Sequence, residues 1–184
     1  MKAHFLFLFR GSMKRHQERT RRPMAVECLE RRELLCGGRN FVAHLDGAGE
    51  VPPRLTQAQG QVKFQLSKDG TELKYKLNVA NIENVFGAHI HIGAPDVNGP
   101  IAVHLFGGDV AGGRVNGRLA TGTITAADLV GPLAGQSIAD LVDEMLAGNT
   151  YVNVHTDDGV APPNTGPGDF PGGEIREQVR CGKP

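Results

Sequence analysis

Val62-Lys63-Phe64-Gln65-Leu66-Ser67-Lys68-Asp69-Gly70-Thr71-Glu72-Leu73-Lys74-Tyr75-Lys76-Leu77-Asn78-Val79 decides the fold class. Val62, Phe64 and Leu66 alternate with Lys63, Gln65 and Ser67. After Asp69-Gly70, the residues Leu73, Tyr75, Leu77 and Val79 alternate with Lys74, Lys76 and Asn78. Strand side chains point to opposite faces in turn, so each half has one greasy face and one wet face. Asp-Gly accommodates the positive φ of a tight turn, and the segment reads as a β-hairpin. Lysines on the wet face oppose edge-to-edge pairing with another chain.

The same alternation extends in both directions. Upstream, Phe41, Ala43 and Leu45 alternate with Val42, His44 and Asp46. Downstream, strands are expected over 85–92, 101–106, 114–124, 150–156 and 174–180. About eight short strands, with 25 Gly and 11 Pro for their turns, predict an all-β fold. The expected architecture is an antiparallel Greek-key sandwich or barrel. One segment departs. Ile138, Leu141, Val142, Met145 and Leu146 have helical spacing, with Ser137 as N-cap and Gly148-Asn149 as the stop. It predicts one short helix over a sheet end.

Charge divides the chain in two. Its 20 Lys+Arg balance 20 Asp+Glu. Residues 1–39 hold ten of the basic residues and four acids, while 40–184 hold ten basic residues and sixteen acids. The reading is a basic leader over 1–39, disordered or removed, a domain over 40–181, and a tail at 182–184. Met13 opens a better-formed leader than Met1. Leu29-Glu30-Arg31-Arg32-Glu33-Leu34-Leu35 after a basic stretch resembles the opening of many large exported bacterial proteins, which implies secretion or surface sorting. No aromatic residues interleave with the leader arginines, so no nucleic-acid partner is expected. No apolar run reaches the roughly 18–20 residues of a membrane span, so no transmembrane segment is expected. Cys28 and Cys36 lie in the leader and Cys181 near the end. No disulfide is therefore expected to staple the core, although Cys28 and Cys36 could pair on export.

His89-Ile90-His91 sits on an expected strand, where residues i and i+2 share a face. His155 lies on another, in Tyr151-Val152-Asn153-Val154-His155-Thr156. If the strands are neighbours, three imidazoles converge, a donor set suited to copper or zinc. His44 and His104 are expected at the surface. A Gly/Pro-rich loop over 157–173 follows His155. Its acids Asp157, Asp158 and Asp169 could bind calcium, but no regular Asp-x-Asp-x-Asp-Gly spacing is present. No Gly-x-Ser-x-Gly elbow, phosphate loop or glycosidase-like carboxylate pair occurs, so catalysis finds little support.

Five motifs resemble the CHRD domain, named after chordin. They are 41–53 (Phe-Val-Ala-His-Leu-Asp-Gly-Ala-Gly-Glu-Val-Pro-Pro), 69–75 around Asp69-Gly70, and 88–93 (Ala-His-Ile-His-Ile-Gly) with Asn98-Gly99-Pro100. The last two are 151–156 and Pro171-Gly172-Gly173-Glu174-Ile175-Arg176. His44 and the run Asp46-Gly47-Ala48-Gly49 depart from the family's more usual Ser-Gly-Ala-Asn-like opening. The resemblance implies an extracytoplasmic all-β domain. Chordin's growth-factor antagonism does not transfer with the fold.

Gly87-Ala88-His89-Ile90-His91 is also similar to the strand of copper/zinc superoxide dismutases that carries two copper histidines. The 151–158 segment is similar to the strand that carries a third. That likeness implies His89, His91 and His155 as copper ligands and Arg176 as an anion-guiding residue. The zinc subloop, the bridging histidine and the cysteine pair of those enzymes have no counterpart. Two functions follow as expectations. The first is an exported, non-enzymatic module that binds a protein or surface component at the cell surface. The second is a copper-binding, dismutase-like sandwich with a three-histidine site.

Overall fold

The computed structural model describes residues 39–109 and 111–182. The leader expectations, including the sorting motif and Met13, fall on residues outside that range. Nine strands follow one another: β1 (Asn40–Asp46), β2 (Gln59–Leu66), β3 (Leu73–Glu83), β4 (Val85–Ile92), β5 (Ile101–Gly107), β6 (Arg114–Ile124), β7 (Thr150–Thr156), β8 (Ile175–Gln178) and β9 (Arg180–Cys181). One α-helix, α1 (Ile138–Ala147), precedes β7. All pairings are antiparallel, in the order β5-β4-β7-β8-β1-β2-β3-β6, with β9 also on β1.

The sheet curls into a nearly closed barrel. Its end strands β5 and β6 lie side by side. Tyr75 Oη on β3 donates to the Leu105 carbonyl on β5 at 2.6 Å, across the gap. The chain after β6 turns back to the free edge of β5. Leu129 bridges Val103, and Val130 N donates to the Ala102 carbonyl at 2.9 Å. The edge is thus covered rather than left as a template for another chain.

The alternation read from the hairpin is the interior of this barrel. Phe41, Ala43, Leu45, Val62, Phe64, Leu73, Leu77 and Val79 are buried in one core with Ala88, Ile90, Val103, Leu105, Val152, Val154 and Ile175. α1 begins at the expected cap: Ser137 Oγ accepts from Asp140 N, while Asp140 Oδ2 accepts from Ser137 N. Gly148, at φ 78°, ends it in the left-handed region that glycine tolerates.

The last expected strand, 174–180, is divided. β8 pairs with β7, while β9 pairs with β1. Between them Val179 is buried, and its N–H goes to the Thr150 carbonyl. The segment changes partners there because one short stretch must finish β7 and also seal the start of β1. That placement sets Cys181 opposite Phe41, where the chain enters the barrel. Cys181 is disulfide-bonded, and its partner lies outside the described residues. The sequence left a Cys28–Cys36 pair open and gave Cys181 no partner; a disulfide at Cys181, beside β1, was not expected.

Candidate metal centre

β4 and β7 are neighbours, and their register decides the site. His89 faces Asn153, Gly87 faces His155 and His91 faces Tyr151. Ala88, Ile90, Val152 and Val154 take the inner face, so these six residues share the outer one. That outer face is roofed by two loops, 93–100 and 157–174. Every residue of β7 is buried as a result.

Three histidines converge beneath this roof. One ring nitrogen from each of His89, His91 and His155 lies within 4.8 Å of the other two. A common point therefore sits within about 2.8 Å of all three (4.8 Å divided by √3), and small ring movements bring it to the roughly 2.0–2.1 Å of a metal–imidazole bond. Ring centroids are 5.7 Å apart for His89–His91, 4.9 Å for His89–His155 and 5.8 Å for His91–His155.

The loops set the tautomers. His91 Nδ1 donates to the Gly99 carbonyl at 2.9 Å, and His155 Nδ1 donates to the Pro171 carbonyl at 3.0 Å. A carbonyl only accepts, so the proton of each neutral ring resides on Nδ1 and the lone pair on Nε2. His91 Nε2, His155 Nε2 and His89 Nδ1 are buried with no hydrogen-bond partner. Burial drives all three histidines toward the neutral form: His89 is pushed down to about 3 and His155 to about 4, while His91 is lowered too. Mutual repulsion among the rings adds to the effect at His89.

Gly87 leaves room beside the His89 ring. A Cβ there would stand 3.1 Å from His89 Cε1, so the ring would have to shift by a few tenths of an ångström, and 3.9 Å from His155 Cδ2, an ordinary contact. The alternation pattern alone gives this glycine no role. A glycine inside a strand beside a His-x-His pair was the available signal, since such glycines mark close approach.

His104 is opposite His89 on β5 and exposed, with its ring edge-on at 4.8 Å. It is at the surface, as expected, but it touches the histidine cluster. Arg176, which the sequence likeness implied as anion-guiding, packs against the 93–100 loop. It is fully buried, donates to Asn98 Oδ1 at 2.8 Å and to the Val97 carbonyl at 2.9 Å, and lies 3.5 Å over the Tyr151 ring. Tyr151 in turn stacks on His91, 4.8 Å away with rings 9° from parallel. One ring face holds one planar group, so Tyr151 is sandwiched between guanidinium and imidazole.

A second buried polar group adjoins the site. Glu50 approaches Asn153, whose Nδ2 donates to Oε2 at 3.5 Å. Burial raises Glu50 from 4.5 to about 7, against the pull of Arg176 and Arg54. Glu50 falls within the 41–53 motif, but nothing in local sequence joins it to Asn153, which lies 103 positions away.

An antiparallel barrel with a histidine triad on its outer face, His91 and His155 buried and His89 half-buried, is thus the class that fold and site define. Residues 41–163 match the CHRD domain, and the chain belongs to that family. A search of curated proteins gives no match.

Proposed function

We propose that this CHRD domain is a metal-binding module that acts outside the cytoplasm, holding copper through His89, His91 and His155. The observation that carries the reading is that His89, His91 and His155 each bring one ring nitrogen within 4.8 Å of the other two, in a place where His91 Nε2, His155 Nε2 and His89 Nδ1 are buried without a hydrogen-bond partner. Leaving such groups without a partner costs about 1–3 kcal/mol each, and a metal ion removes that cost. Neutral nitrogen donors with no thiolate favour copper over zinc at equal availability.

Export is supported by the oxidised Cys181, since disulfides persist in oxidising compartments. The acidic excess over 40–184 favours cations or basic surface partners. The non-enzymatic reading is supported by Arg176, whose guanidinium is engaged by Asn98, Val97 and Tyr151 and not free to draw in an anion.

Equilibrium dialysis of untagged protein against copper should give one equivalent bound. The His89→Ala/His91→Ala variant should lose at least a hundredfold in affinity. Equal binding by both proteins would overturn the assignment.

A further inference from the structure

A second cluster of metal-ligating side chains lies beyond the histidines. Asp157, Asp158 and Asp169 each offer a carboxylate oxygen, and these oxygens lie within 4.8 Å of one another. Three carboxylates at that spacing are an unfavourable arrangement without a counter-charge. Among the described residues the one ion pair is Arg180–Glu177, so no described Lys or Arg side chain lies within 4.0 Å of the cluster.

Acid clusters alone are common. This one has a buried member with an unused oxygen. Asp169 is 2% exposed. Its Oδ2 accepts from Thr165 N and Thr165 Oγ1, both at 2.8 Å. Its Oδ1 is buried and has no partner. A carboxylate oxygen out of water and without a donor calls for a cation or a proton.

We infer that Asp157, Asp158 and Asp169 form a site for a calcium-sized, hard divalent cation, separate from the histidine centre. A point within about 2.8 Å of three such oxygens exists, close to the 2.3–2.6 Å of calcium–oxygen bonds. Asp157 and Asp158 are partly exposed, which leaves room for water to complete six to eight ligands. Oxygen-only donors separate this site from the imidazole triad by ligand type. The cation clips the start of the 157–169 segment to its end, and so closes most of the loop whose Pro171 carbonyl orients His155.

The experiment is calorimetric titration of the metal-free, full-length protein with calcium chloride, paired with thermal melts. One saturable site is expected, with Kd on the order of 10⁻⁴–10⁻³ M, the range of extracellular calcium modules. Calcium should raise Tm. Asp157→Asn/Asp158→Asn, which changes only partly exposed groups, should weaken binding at least tenfold and abolish the Tm rise. Asp169→Asn should do the same if it folds. The His89→Ala/His91→Ala variant should bind calcium as the parent does. The inference is overturned by the absence of saturable binding up to 10 mM, by equal affinity in the Asp157/Asp158 variant, or by loss of calcium binding in the histidine variant.

Discussion

His91 and His155 each donate a hydrogen bond from Nδ1 to a backbone carbonyl, and that single contact leaves Nε2 as the nitrogen with the free lone pair. Their depressed basicity also has a stability consequence. The unfolded chain takes up protons near pH 6.5, whereas half-buried His89 and buried His155 resist until about 3 and 4. Stability from these groups is therefore complete above pH 6.5 and is lost as pH falls toward those values. Metal-free protein should melt progressively lower between pH 6.5 and 4, and a pH series of thermal melts reads this directly. Glu50 has the opposite sign. Its raised value means stability that is present below 4.5 and lost as pH rises through about 7. Glu50→Gln should accordingly gain Tm at pH 8 and leave Tm unchanged at pH 4; an equal shift at both would contradict it.

At the scale of elements, Glu174 laces three segments together. It accepts from Thr56 Oγ1 at 2.5 Å, Thr156 Oγ1 at 2.7 Å and Gly168 N at 2.9 Å. These donors come from the loop after β1, from β7 and from the loop that roofs the histidines. Removing the carboxylate leaves three donors short of a partner, so Glu174→Ala should cost roughly 3 kcal/mol in denaturant unfolding. Ser137→Ala removes only the helix cap and should cost about 1 kcal/mol. α1 was legible in sequence because cap, periodicity and stop all lie within a dozen residues. The hairpin β2–β3 was legible for the same reason: alternation and the Asp69-Gly70 turn are local. The division of 174–180 into β8 and β9 was not, because it depends on β1 and β7, both distant in sequence.

At the scale of the whole molecule, a barrel closed around one apolar core makes its outer face available for chemistry. The loops over β4 and β7 turn part of that outer face into a second, polar interior. The β9–β1 pairing places Cys181 at the mouth where the chain enters. Cys181 is disulfide-bonded, and the other two cysteines, Cys28 and Cys36, lie outside the described residues. Reduction should lower Tm, by an amount corresponding to about 2–4 kcal/mol for a native disulfide. Peptide mapping under non-reducing conditions should recover Cys181 linked to one of those two.

Period-two alternation, turn chemistry and helix spacing are short-range properties, so the sequence by itself determined the all-β class, most strand positions and helix α1. It also placed His89 and His91 on one face, because strand geometry leaves no alternative. Joining them to His155 required the β4–β7 pairing, which no local signal encodes. The tautomers, the space left by Gly87, the burial of Glu50 and the capture of Arg176 by Tyr151, Asn98 and Val97 belong to the tertiary structure alone. Each depends on groups far apart in the chain meeting in a place from which water is excluded.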